Sequence, residues 1–201
     1  VARALAPPAA LHVDGDAFIA IDVETANGDP ASICQIGVAR FAGGELVDNR
    51  AWLINPQTWF SRDNIAIHGI HAADVRDAPS WADGYPELVD LLAGQIVVSH
   101  TAFDVTATSR ACARDGLALL DAHWLDSTRV ARRAFPRFAR RGYGLASLSD
   151  YLGIEFSHHD AGEDARAAGL VVLAAVAASG RSVADWLIDA HRPLRQFTDG
   201  H

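Results

Sequence analysis

Apolar runs that close on acidic residues organise the first half of the chain. Residues 18–24, FIAIDVE, are β-rich and apolar and end in two acids two positions apart, a pattern that predicts a buried strand. ICQIGVARF and ELVDNRAWLI repeat the strand signal and are joined across AGGE, the sequence of a tight hairpin. Three successive strands predict an antiparallel meander. Beyond the irregular stretch INPQTWFSRDNIAIHGIHAADVRDAPS the apolar spacing becomes helical over about 81–93, followed by a short strand QIVVS and a helix over about 103–115. A strand near HWLD, the segment STRVARRAF, a helix near LASLSDYLG and a long helix over about 161–178 complete the pattern. SVADWLIDAH adds an amphipathic helix whose Trp186 and Leu187 suit docking on the domain. Strands first and alternation later predict an α/β fold: a mixed sheet, the meander plus parallel strands, with helices on both faces.

Composition narrows this picture. The chain has 201 residues, half of them hydrophobic, which suits one compact domain with a substantial core. Residues 1–15 read as a loose leader, 16–178 as the domain, and 179–201 as a C-terminal helix and tail. No stretch approaches the apolar length of a membrane helix, and the opening VARALAPPAALHVDGDA lacks a signal peptide's apolar core. A soluble protein of the cytoplasm, with no membrane partner, is expected. Cys34 and Cys112 lie in apolar surroundings without histidines at zinc spacing and are expected as buried thiols. A formal charge of −8 argues against coating nucleic acid by charge alone, though not against a local grip. All 17 basic residues are arginine, with no lysine and no methionine, which reads as genome composition bias.

Candidate chemistry begins on the first strand. Side chains at i and i+2 share a face, so Asp22 and Glu24 project together, with Cα atoms about 6–7 Å apart. Two like charges at the end of a buried strand repel one another and resist desolvation unless a cation lies between them; the alternative is that they mark where the strand reaches solvent. Asp104, after the strand QIVVS and near a helix start, is a third candidate, with interaction with the helix dipole as its ordinary explanation. Asp164, on the last long helix, is the fourth. Three separated acid sites at element ends favour a metal cluster, and hard oxygen ligands favour magnesium or manganese. Four carboxylates facing two divalent ions cancel in charge, and such a site accepts a phosphodiester.

The segment FSHHDAGEDA, residues 156–165, holds two histidines and three acids. Asp160 and Glu163 have the D-x-x-E form of a capping box, which engages both acids in structure. In that register His159 precedes the cap and lies against Asp164, while His158 points elsewhere. A histidine beside a metal-bound carboxylate is a candidate general base.

These residues together resemble the DEDDh 3′–5′ exonucleases, the family that includes the proofreading epsilon subunit of bacterial DNA polymerase III. AIDVETAN resembles the family's first motif, carrying over Asp22 and Glu24; VVSHTAFD its second, carrying over Asp104; HDAGEDA its third, carrying over His159 and Asp164. The match runs in order across about residues 17–178, with one departure: Ser99 and His100 stand where relatives commonly have His-Asn. The resemblance implies a ribonuclease H-like fold and hydrolysis with two Mg²⁺ or Mn²⁺ ions held by Asp22, Glu24, Asp104 and Asp164, with His159 taking a proton from the attacking water. It implies release of nucleotides from nucleic acid with a free 3′ end, single-stranded DNA first, in proofreading or repair, and a DNA polymerase subunit as a candidate partner. RNA trimming by the same fold and a non-cutting binding module are the alternatives. It also implies that backbone at Thr25 and Ala26, and the segment His68 to Ile70, flank the 3′ nucleotide; Phe103 packs near the sugar or in the core, the core being the ordinary place for an isolated Phe.

One basic stretch stands out. RVARRAFPRFARRG places Arg129, Arg132, Arg133, Arg137, Arg140 and Arg141 within 13 positions without an acid. It reads either as a phosphate-contacting patch, with Phe135 or Phe138 stacking on a base, or as a solvated helix face.

Overall fold

The computed structural model describes residues 17–136 and 142–191. The expected leader and the stretch from Arg137 to Arg141 lie outside them, as do the last ten residues. Five strands form one mixed sheet in the order β3-β2-β1-β4-β5. β1 (Phe18–Thr25), β2 (Ile33–Ala42) and β3 (Glu45–Leu53) are the antiparallel meander; β4 (Gln95–Ser99) and β5 (Ala122–Asp126) add in parallel to β1. Ala42 pairs with Glu45 across Gly43 and Gly44, both at positive φ, the two-residue turn that the glycines permit.

The helices are α1 (Arg62–His68), α2 (Trp81–Leu92), α3 (Phe103–Arg114), α4 (Ser127–Ala134), α5 (Leu145–Leu152), α6 (Ala161–Ser179) and α7 (Val183–Ala190). α1 falls inside the stretch read as irregular. It has seven residues and buries none of them, so it shows no apolar period. Its caps were legible: the Ser61 side chain accepts from Asn64 N–H, and Gly69 closes the helix at φ 75°.

Strand parity builds two cores. Phe18 and Ala20 of β1 face α6 together with Ala39 and Phe41 of β2, and Ile96 and Val98 of β4. The alternate residues Ile19, Ile21 and Val23 face α2 and α3 with Ile36, Val38 and Val97. The sheet is therefore apolar on both faces, as expected of strands covered by helices. α7 joins the first core through Val183, Trp186, Leu187 and Ala190, as its amphipathic pattern predicts. Cys34 and Cys112 are buried free thiols.

The alanine-rich α6 packs unusually close to the sheet. A Cβ on Gly37 would stand 1.9 Å from the carbonyl oxygen of Ala161, and one on Gly169 would stand 2.1 Å from the Phe41 ring, itself stacked on Phe18. Only glycine fits at either contact. The N-terminus of α6 is thereby pressed onto the middle of the sheet beside β1. Among the described residues no single helix is long and apolar enough to cross a membrane.

Candidate active site

Parity also decides where the acids of β1 point. Asp22 and Glu24 share the face of Phe18 and Ala20, so both project toward α6, whose first turn carries Asp164. Carboxylate oxygens of Asp22, Glu24 and Asp164 lie within 4.8 Å of one another. Asp104 approaches from the other side of the strand. β4 is in register with β1 only at Ile19 and Ala20, so Val23 lies past its end, and the Val23 N–H donates to Asp104 Oδ1 at 3.0 Å. The acids thus gather where β1 outlasts its parallel neighbour, at the carboxyl end of the strands.

Of the four acids only Asp164 has an ion-pair partner among the described residues, the His158 ring at 2.8 Å. Among the described residues, no arginine pairs with Asp22, Glu24 or Asp104. Burial, then Asp104, Asp164 and Glu24, raises the Asp22 carboxyl well above the usual range. Burial, then Asp164 and Asp104, pushes Glu24 up to about 7. Burial also pushes Asp104, only 2% exposed, up to about 7, against the lowering hydrogen bond from Val23. An oxygen-only donor set whose charged forms are this costly without a cation suits hard divalent ions such as Mg²⁺ or Mn²⁺, so the residues present fit the expected ions.

At the start of α6 the sequence expectation needs correction. Asp160 caps the helix as predicted, accepting from Gly162 N–H at 3.0 Å and Glu163 N–H at 3.1 Å. Glu163, however, does not close the box; its carboxylate engages Arg166 at 2.7 Å and Asn49 at 3.2 Å, and the Arg166 contact holds it below the usual range. Nor is His158 a bystander. Its Nδ1 lies 2.8 Å from Asp164 Oδ1, whereas His159 reaches Asp164 Oδ2 through its backbone N–H at 2.9 Å. The cause is the positive φ of His159, 70°, which turns its N–H toward the helix and its ring outward to stack on His158 at 4.0 Å. The predicted staple assumed an extended residue there. The His159 ring still has a nitrogen within 4.8 Å of an Asp164 oxygen.

The expected nucleotide-flanking residues divide. His68 Nδ1 accepts from Ile70 N–H, so its Nε2–H donates to the Thr25 carbonyl at 3.1 Å. Asn64 donates to the same carbonyl at 2.8 Å. His68 therefore ties α1 to the end of β1, and burial lowers its pKa and keeps the ring neutral. Ala26 is fully buried, its N–H donating to Ser32 and its carbonyl accepting from Ser61, so it supports Thr25 rather than presenting backbone to a ligand. Phe103 is 44% exposed at the first position of α3, next to Asp104, which overturns the core reading for it.

The departure at Ser99 and His100 also resolves into structure. His100 Nε2 donates to the Tyr143 carbonyl at 3.0 Å, and its Nδ1 accepts from Ser127 Oγ at 2.8 Å. Burial lowers its pKa, and the neutral ring links the end of β4 to the segments opening α4 and α5. The contact of Asn64 with Thr25 and the partners of His100, which the sequence marked only as a departure, could not be read from the sequence, because they span 39, 27 and 43 positions.

Part of the arginine patch is structural as well. Arg133 lies 4.0 Å from Asp189 of α7 and donates to the Arg129 carbonyl, and Arg132 sits over the Tyr143 ring. Phe135 packs on the first core and edge-on to Tyr151, so it does not stack on a base. Phe138 lies outside the described residues.

Known proteins resemble this chain in sequence and in fold. The family model of the exonucleases, RNase_T, matches residues 19–172. The PolC-type DNA polymerase III of Thermotoga maritima is 31% identical over 164 residues, 79% of this chain and 12% of the polymerase. A putative bifunctional exonuclease/endonuclease protein of Mycobacterium tuberculosis is 28% identical over 160 residues, 75% of this chain and 25% of that protein. The chain thus spans only a small part of these relatives. Exonuclease X, solved in complex with 5′ overhanging duplex DNA, superposes with a TM-score of 0.71 at 24% identity, covering 86% of this chain and 98% of that one. The nuclease domain of 3′hExo, a DEDDh family member bound to rAMP, superposes with a TM-score of 0.71 at 18% identity, over 84% of this chain and 96% of that one. On the match of 19–172, and with the acids of all three motifs gathered at one end of the sheet, the chain belongs to the RNase_T exonuclease family.

Proposed function

We propose that this chain removes nucleotides from DNA 3′ ends by metal-dependent hydrolysis, in a proofreading or repair setting in the cytoplasm. The observation that carries the reading is the convergence of Asp22, Glu24 and Asp164, with Asp104 beside them, into a largely buried acidic cluster that no arginine pairs with among the described residues. In this reading Asp22, Glu24, Asp104 and Asp164 would hold two Mg²⁺ or Mn²⁺ ions. When bound, such ions offset the charge that develops on the attacking and leaving oxygens of a phosphodiester.

The chain's own residues supply the rest. His159 takes the proton of the attacking water on a ring nitrogen, and His158 fixes the Asp164 carboxylate through Oδ1. Thr25, held by Asn64 and His68, and the exposed ring of Phe103 flank the terminal nucleotide. The relationship to PolC-type DNA polymerase III supports DNA over RNA and supports a polymerase assembly as the partner.

Matched labelled single strands of DNA and RNA, incubated with Mg²⁺, with Mn²⁺ and with EDTA, test this. Stepwise shortening of the DNA strand from its 3′ end, lost in EDTA and in Asp22→Ala or Asp164→Ala, is expected. Faster shortening of RNA would replace the DNA assignment, and a strand bound at unchanged length would replace the enzyme with a binding module.

A further inference from the structure

Among the described residues, the Trp59 side chain belongs to none of the three hydrophobic clusters. Its indole side belongs to a residue 66% exposed, the equal highest among the large apolar residues described, although burial is worth more for tryptophan than for almost any side chain. The backbone beneath it is held tightly. The Asn27 side-chain amide, itself buried, donates to the Trp59 carbonyl at 2.7 Å. On the following residues, Phe60 packs on the cluster of Ala26, Cys34, Ile70 and Val75, and Ser61 N–H donates to the Ala26 carbonyl. On the preceding side, Gln57 is fixed at φ 54° with its N–H on Asn55 Oδ1. The backbone that carries the indole is already ordered, so stacking a flat ligand on it costs only the freedom of the side chain's own two torsions.

Its place relative to the acids is set by the same contact. Asn27 is three residues beyond Glu24, about 10 Å of extended chain at most, so Trp59 is tied within a few nucleotides' reach of the carboxylates. Every nucleobase offers a π-face, and aromatic platforms beside a backbone-binding groove are how single strands are held without regard to sequence.

We propose that Trp59 is a stacking platform for a base of the single strand upstream of the terminal nucleotide, a contact that adds to the grip at the carboxylates. This inference rests on the exonuclease reading. The full chain is titrated with oligothymidylates of two and eight nucleotides that carry a 3′-terminal phosphorothioate linkage to slow cutting, and tryptophan fluorescence and Kd are read together. The octamer is expected to quench the parent's fluorescence, and Trp59→Ala to weaken octamer binding about tenfold while leaving the dinucleotide unchanged. Trp59→Phe keeps a ring and is expected to recover most of that affinity without the quench. Unchanged octamer affinity in Trp59→Ala, or equal losses for both lengths, would overturn the platform. A parent that neither binds nor shortens strands would overturn the exonuclease reading itself, which the parent's own titration distinguishes.

Discussion

His158 Nδ1 stands 2.8 Å from Asp164 Oδ1, while the neighbouring His159 meets the other oxygen of that carboxylate only through its backbone. The two histidines therefore differ in what they do. His158 holds an acid of the cluster through its ring, and in the proposed mechanism the His159 ring is the one left to face the ligand.

Separate alanine substitutions are expected to divide along that line. His159→Ala should lower the maximal single-turnover rate by about 10²–10⁴-fold with little change in the Mg²⁺ requirement. His158→Ala should instead raise the Mg²⁺ concentration at half-maximal rate by about 10-fold, the scale for losing a group that orients a ligand. Rates measured across a Mg²⁺ series check both, and identical profiles for the two variants would contradict the division.

The acidic cluster predicts a pH dependence for the metal-free fold. The folded-state pKa values of Glu24 and Asp104, both about 7, lie above the ordinary carboxylate range of 4.5 and 3.8. Folding therefore favours their protonated forms: the stabilisation is complete below about pH 4 and is lost as pH rises through 7. In EDTA the melting temperature should fall on the order of 5 °C or more between pH 5 and pH 8 from this source, and saturating Mg²⁺ should reverse the fall. Thermal denaturation at both pH values, with and without metal, measures it. A metal-free protein more stable at pH 8 would contradict the cluster's electrostatics.

Gly37→Ala is expected to damage the site from outside it. The added methyl meets the Ala161 carbonyl and the Gly162 nitrogen at the head of α6, backbone atoms that cannot turn aside. Displacing that helix moves Asp164 from Asp22 and Glu24. A destabilisation of about 3 kcal/mol in urea titration, with digestion lost in the same variant, is the expected outcome.

The clamp on Thr25 gives a fourth expectation. His68→Ala leaves the Thr25 carbonyl with Asn64 alone and removes the acceptor for Ile70 N–H. A stability loss on the order of 1–2 kcal/mol is expected, together with a higher KM for short strands. His68→Gln, whose amide reaches the position of Nε2, should restore more of both than His68→Ala. Steady-state digestion of a short strand with all three proteins separates them.

The sequence alone determined the strands, the helix over 161–178 and the acids, because each rests on local order. Alternation places Asp22 and Glu24 on one face of FIAIDVET, two glycines define the hairpin, and Asp160 caps the helix that follows it by accepting from the N–H two positions on. The motif spacing carried the family, and the match over 19–172 agrees. What the tertiary structure decided depends on residues far apart in sequence or on a single torsion. The φ of His159 chose which imidazole meets Asp164, and no local pattern specifies it. The end of β4 at Ser99 left Val23 N–H for Asp104. α1 is held by polar contacts to Thr25 rather than by an apolar face, so periodicity passed over it. Phe103 lies half in solvent, where an isolated Phe was expected in the core. Chemical identity is written locally, whereas the choice of partner is settled by packing.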